Sequence, residues 1–232
     1  MLSVRRSADR GHASYGWLET YHTFSFARYY DPRFNGFRAL LVLNQDRVAP
    51  GRGFGMHPHE NMEILTYVLE GALEHQDTMG FRAVLRPGEV QVISAGTGMA
   101  HGEFNPSQNE TVHFLQIWIV PREQGGDPAY QQEAYPIETR RNRLCLVGSP
   151  DGRDGSTTIR QDVMVYATVL EPQHTVSLDL AVGRYGWVHV ATGAIELNGQ
   201  LLEDGDGAAI ADETRLTLSG RRGAEVLLFD LP

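Results

Sequence analysis

The stretch from Phe54 to Gly71 reads FGMHPHENMEILTYVLEG and carries two histidines, His57 and His59, one residue apart at the head of an apolar run. On a β-strand, residues i and i+2 project from the same face. The two rings then point the same way, about 7 Å apart at the backbone, and their nitrogens can converge on one ion at about 2 Å. A single pair of this kind is more often surface decoration than a site. A second pair changes the weighing. SAGTGMAHGEFNPS, residues 94–107, sets His101 and Glu103 at the same spacing behind a glycine-rich turn. Three imidazoles and one carboxylate suit a divalent transition metal better than calcium or magnesium. Four protein donors leave an octahedral ion with open positions for water, substrate or dioxygen.

Other polar residues compete for these roles. Glu63 follows His59 by four residues, and on a straight strand it shares that face, so parity alone leaves the carboxylate position open between Glu63 and Glu103. His75 and Asp77 also alternate, but at the mouth of a hairpin, where Asp commonly hydrogen-bonds a turn; a supporting role behind a metal ligand is the alternative. His113 sits within VHFLQIWIV, where a core or interface histidine is the default. His12, His22, His174 and His189 have no paired donor nearby and read as structural. HTFSFARYYDP, residues 22–32, is aromatic-rich and reads as packing.

The elements that must hold the donor pairs are short strands. FRALLVLN, MEILTYVLE, EVQVISAG, VHFLQIWIV, VMVYATVL, GWVHVATG and AEVLLFDL recur between turn residues, and glycine occurs 25 times. Regular short strands separated by turn signals indicate an all-β sandwich or barrel. The one helical candidate is PAYQQEAY at 128–135, inside a pause of the strand pattern that reads as a connector. The chain divides into an N-terminal unit at 1–122, a connector at 123–143 and a C-terminal unit at 144–232. The two units resemble each other: TYVLEGALE aligns with VHVATGAIE through Gly71 and Gly193, and LRPGEVQVI aligns with LEDGDGAAI through Gly88 and Gly205. Such a repeat predicts two stacked barrels of one design.

Bulk properties narrow the function. With 232 residues the chain is long enough to bury a sizeable core, and 41% apolar with 21% charged residues is ordinary for a folded protein. A net charge of −9 argues against a nucleic-acid partner, since such affinity rests on clustered Lys and Arg. The patch Arg140, Arg141 and Arg143 reads as a solvated loop. One cysteine, Cys145, excludes an internal disulfide and fits a reducing compartment. No stretch has signal-peptide character or bilayer-spanning length. A cytoplasmic protein with no membrane partner is expected.

The donor pairs also carry a resemblance. G-x5-H-x-H in GRGFGMHPH, followed by Gly71, resembles the first cupin motif, and GMAHGEFN, with Gly98, His101 and Asn105, resembles the end of the second. HPHENMEILTYVLEG, EHQDTMG and SAGTGMAHGE are similar to the pirin family, particularly its bacterial members with quercetin 2,3-dioxygenase activity, and the resemblance runs from GHASYGWLETYHTFSFARYYDP to EVLLFDLP. It implies a bicupin, two stacked jelly-roll barrels, with metal in the N-terminal barrel only. The implied ligands are His57, His59, His101 and Glu103, which settles the carboxylate against Glu63. Glu63 departs from the general cupin pattern by lying one residue nearer the histidines, and Gly96 stands where many cupins have proline. Counting from the repeat glycines, the C-terminal counterparts are Asp179, Ala181, Leu218 and Gly220, which do not repeat the metal set. The second barrel is therefore expected to be structural.

The resemblance further implies iron(II) as the expected ion, with nickel, copper, manganese, cobalt or zinc as substitutes. The implied reaction is opening of a flavonol by dioxygen with release of carbon monoxide, Glu103 being the base that takes the 3-hydroxyl proton. Phe54, Met56 and Met99 are placed as apolar walls for a planar substrate. The alternatives are an iron-binding redox or transcriptional regulator without turnover, or another cupin activity on a small molecule. Fold alone does not select among them.

Overall fold

A computed structural model describes residues 1–232. In chain order the strands are β1 (Leu2–Arg5), β2 (Gly11–Ser14), β3 (Leu18–His22), β4 (Leu40–Val48), β5 (Gly53–His59), β6 (Glu63–Glu70), β7 (Leu73–Asp77), β8 (Arg82–Leu85), β9 (Glu89–Ser94) and β10 (Met99–Phe104). They continue as β11 (Val112–Ile119), β12 (Ala129–Ala134), β13 (Cys145–Ser149), β14 (Thr157–Thr158), β15 (Met164–Leu170), β16 (Thr175–Asp179), β17 (Tyr185–Leu197), β18 (Gln200–Glu203), β19 (Gly207–Ile210) and β20 (Arg215–Leu231). One four-residue helix, α1 (Ile137–Arg140), lies between the units.

The N-terminal barrel closes a seven-stranded sheet, β12-β9-β6-β11-β4-β3-β2, over a four-stranded one, β5-β10-β7-β8. The second unit is a nine-stranded sheet following β1-β19-β17-β20-β15-β13-β14, with β16 on β20 and β18 on β17. The expected two-barrel, all-β architecture is present. The glycine repeat has a physical cause. Gly71 (φ +77°) turns the chain from β6 in one sheet to β7 in the other, Gly193 (φ +84°) sits at the irregular step within β17, and each lies against a passing backbone. A Cβ on Gly71 would stand 2.9 Å from the Thr111 carbonyl, and one on Gly193 would collide with that of Gly223.

Alternation divides the seven-stranded sheet between two tasks. Leu43, Leu65, Tyr67, Val92, Leu115 and Ile117 face the second unit, where they meet Val165, Trp187, Leu227 and Phe229 in one 22-residue core. The opposite face lines the barrel interior. The second barrel is filled by 15 buried apolar residues, among them Ile195, Leu197, Leu202, Leu216 and Leu218, which leaves it no polar interior.

Three expectations are corrected. Residues 128–135 are not helical: Ala129–Ala134 is β12, antiparallel to β9 from Ala129↔Ser94 to Ala134↔Glu89. Eight residues are too few for a helix to hold alone, the flanking Pro128 and Pro136 favour extended neighbours, and the β9 edge offers a partner for each backbone group. The connector range 123–143 therefore contributes a strand to the first barrel. In the other direction β1, within 1–122, pairs with β19 of the second unit from Leu2↔Ile210 to Arg5↔Gly207. Arg140 is not in a solvated loop either; it is 5% exposed.

Candidate metal centre

β5 and β10 run antiparallel at the mouth of the first barrel with His101 opposite His57 and Met99 opposite His59. Directly opposed residues share a face, so the three imidazoles meet inside the barrel. Their ligand atoms lie within 4.8 Å of one another. His57 Nδ1 is 2.8 Å from the Gly55 carbonyl, which can only accept, so the proton sits on Nδ1 and Nε2 carries the lone pair. That Nε2 is 3.0 Å from His101 Nε2. Two nitrogens each about 2.1 Å from one ion, at a right angle, are separated by about this distance. Burial, then the neighbouring His57, lowers His59 to about 4; burial, then His57 and His59, lowers His101 to about 2. Both rings are neutral at pH 7, as metal ligands must be. The donor set fits a divalent transition metal.

Glu103 enters the site differently. The β5–β10 register shifts between His101 and Glu103, so that Glu103 faces Phe54 rather than the residue two before His57. Such a bulge lets Phe54 and His57 share a face although they are three apart. The Glu103 carboxylate is 2% exposed, accepts from Gln116 Nε2 at 2.8 Å and meets the Thr66 hydroxyl at 3.4 Å. Burial pushes it up to about 7 against the pull of these hydrogen bonds, with Asp46 adding to the rise. Glu103 is not within the three-histidine group itself, but it lines the same small cavity of about 80 Å³ with His57, His59, Phe54, Phe26 and Trp118.

Below Glu103 the sheet carries a row of polar side chains in direct register: His22 opposite Asn44, Asn44 opposite Gln116, Gln116 opposite Thr66, and Thr66 opposite Gln91. His22 Nδ1 contacts Asn44 Oδ1 at 2.9 Å, the single proton of the Thr66 hydroxyl is shared between Glu103 and Gln116 Oε1 at 3.1 Å, and Gln91 donates to Thr66 at 3.3 Å. Sequence reasoning missed Asn44, Asp46, Thr66 and Gln116. Thr66 and Gln116 each interrupt an apolar run at an inward position, which was an available signal, whereas Asn44 and Asp46 are hidden within the polar run Asn44–Arg47 of β4. Phe26, assigned to packing, also reaches the cavity, where it meets Trp118 edge-on at 5.4 Å.

The remaining candidates separate cleanly. Of the three wall residues, Phe54 lines the cavity, Met99 is buried with Ile64, Ile93 and Ala95, and Met56 alternates outward and is 54% exposed. Met56 therefore does not wall the site. Glu63 is held by the Ser94 hydroxyl at 2.8 Å and the Arg160 N–H at 3.1 Å, outside the cavity. His75 and Asp77 form a buried pair at 2.9 Å, while the other Asp77 oxygen accepts from the N–H groups of Met79 and Phe81. The turn role is real, and the His75 ring also stands 5.3 Å from that of His101. In the second barrel Asp179 is on the surface with Arg215 at 2.9 Å, and Leu218 is buried.

Comparison with known proteins agrees with this fold. The pirin family model matches residues 3–119, and the quercetinase C-terminal cupin domain model matches residues 146–231. The chain is 47% identical over 232 residues to a quercetin 2,3-dioxygenase of Escherichia coli, covering 100% of this chain and 99% of that one. It is 40% identical over 228 residues to a pirin-like protein of Caulobacter vibrioides, covering 97% and 98%. The crystal structure of the bacterial pirin YhhW from Escherichia coli in complex with nickel(II) superimposes with a TM-score of 0.95 at 46% identity, covering 100% and 99%. No helix of the chain is long and apolar enough to cross a membrane.

Proposed function

The chain belongs to the pirin family, and on that premise we propose that it is a metal-dependent dioxygenase that opens flavonols such as quercetin and releases carbon monoxide. The reading rests on one observation: three imidazoles converge, and two of them, His57 and His59, line a small cavity together with a buried, proton-hungry carboxylate. His57, His59, His101 and Glu103 are the proposed ligands, for iron(II) or for nickel(II) as in the Escherichia coli relative. A bound divalent ion supplies open positions for substrate and dioxygen, and lowers the pKa of a coordinated hydroxyl.

The chain's own residues supply the rest. Glu103, raised to about 7, takes the proton of the flavonol 3-hydroxyl. Gln116 and Thr66 orient the carboxylate and keep one oxygen each engaged while it does so. Phe54, Phe26 and Trp118 exclude water around the reacting edge. The ionised flavonol reacts with dioxygen across C2 and C4, C3 leaves as carbon monoxide, and both oxygen atoms of dioxygen are consumed. The inner cavity holds only an ion and small ligands, but a wider groove of about 680 Å³ shares His59 and runs past Pro58, Thr78 and Met99. It gives the rings of a flavonol room beside the metal position.

Glu103→Gln tests the assignment by separating binding from turnover. Glutamine keeps the size and an oxygen donor but is a very poor base, so turnover falls about 100- to 10,000-fold. The three imidazoles retain most of the metal, and raising pH partly restores the rate because more flavonol arrives ionised. Glu63→Gln, outside the cavity, keeps far more activity. Wild-type turnover by metal-loaded Glu103→Gln, or silence of Glu63→Gln instead, would overturn the assignment.

A further inference from the structure

The seam between the units is apolar through most of its area, but one part is cationic. Arg10 is 8% exposed, with its guanidinium 5.0 Å from the centre of the Tyr21 ring. Its Nη1 donates to Gln45 Oε1 at 3.0 Å and its Nη2 to Ser7 Oγ at 2.9 Å, both neutral acceptors, and its Nε has no partner. The carboxylates around it are committed elsewhere. Asp206 holds Arg6 at 2.7 Å and the Ser7 N–H at 2.7 Å, Asp204 holds Arg222 at 3.5 Å, and Glu70 holds Arg47 at 3.2 Å. A guanidinium taken out of water without a counter-ion is costly.

A second buried donor faces the same space. The Gln45 amide is oriented by Arg10 at its oxygen and by the Ala191 carbonyl, which accepts from its Nε2 at 3.2 Å. That Nε2 lies 3.0 Å from His113 Nε2, which must therefore accept, leaving the proton on Nδ1. His113 is 1% exposed, and its Nδ1 has no acceptor; Glu70 is 3.9 Å away, beyond hydrogen-bond reach. These groups line a pocket of about 200 Å³ with Ser7, Arg47, Thr192 and Gly205, and the exposed Asp204 carboxylate, paired with Arg222, also borders it. Gly205 (φ +76°) keeps it open, since a Cβ there would collide with the Arg10 guanidinium and the Ser7 hydroxyl.

We propose that this pocket between the units binds a small oxyanion, a phosphate or carboxylate group, held by the Arg10 guanidinium and His113 Nδ1 with Arg47 at the rim. It is separate from the metal cavity. Gln45 faces the pocket from one side of β4, while its neighbours Asn44 and Asp46 line the metal cavity from the other. Isothermal titration of the metal-loaded protein with inorganic phosphate and, separately, with succinate, each against chloride at matched ionic strength, tests the proposal. Saturable one-site binding of at least one anion is expected, and the tighter of the two identifies the favoured headgroup. Arg10→Gln should weaken it about ten-fold or more, the worth of a charge-assisted contact. Because Arg10→Gln also disturbs a buried residue, Thr192→Glu is the second variant: its carboxylate takes the anion's place and abolishes binding without removing any cation. Absence of saturation by both anions, or affinity unchanged in both variants, overturns the proposal.

Discussion

Glu103 is held out of water with two hydrogen bonds that favour its ionised form, and the balance between these opposed effects sets when it can act. Burial, with Asp46 adding to it, raises the carboxyl, Gln116 and Thr66 pull it back, and the outcome is about 7. A base works ionised, so turnover rises with pH, and a cation bound nearby moves that rise to below pH 7. Gln116→Leu removes the stronger of the two hydrogen bonds, raises the carboxyl further and should shift the ascending limb of kcat/KM to higher pH; an unshifted limb would mean that another group controls it. At this scale the sequence is legible only where chemistry recurs at short spacing. The i, i+2 pattern brings out His57, His59, His101 and Glu103, because a strand forces that spacing onto one face. Asn44, Thr66 and Gln116 are far apart in the chain, and only the register of four strands assembles them.

Among the elements, the irregular step between β5 and β10 matters most for the site. A regular ladder would send Phe54 to the same side as Met56; the bulge turns Phe54 inward to face Glu103. Gly53 makes this close approach possible, since a Cβ there would collide with the Glu103 carbonyl and crowd the Phe104 Cα. Gly53→Ala should therefore displace β10 from β5 and weaken metal binding about 10- to 100-fold, the range seen when groups that orient ligands are lost. A competitive metal titration measures this, and an affinity equal to wild type would show that the bulge does not set the donor geometry. Strict alternation from His57 puts Met56 outward, as found, but would put Phe54 outward with it, because it has no means of locating the bulge. The segment at 128–135 fails for a related reason: it is a strand only because the β9 edge is there to pair it.

Across the whole molecule the two barrels share their largest core, so the second unit supports the first without carrying its chemistry. The seam also contains a buried polar cluster. Arg140 of α1 meets Glu225 of β20 at 2.6 Å, and both bond the hydroxyl of Tyr67 from β6. Glu225→Ala leaves Arg140 without its counter-charge and should cost about 3 kcal/mol in denaturant unfolding, with one cooperative transition for both units. Loss of less than about 0.5 kcal/mol, the scale of an ordinary surface change, would contradict this. Two barrels and their glycine-anchored repeat were legible because turn grammar is local. The crossing of β1 into the second sheet and the burial of Arg140 were not, because each depends on a partner about 80 or more residues away. The most direct test of the account is carbon monoxide release from quercetin by protein of defined metal content, with and without dioxygen. The account predicts one carbon monoxide per quercetin consumed, only with dioxygen and metal present, and none from His101→Ala, which should also lose its metal while His189→Ala keeps it. Full metal occupancy with quercetin and dioxygen present, yet no carbon monoxide released, would contradict it.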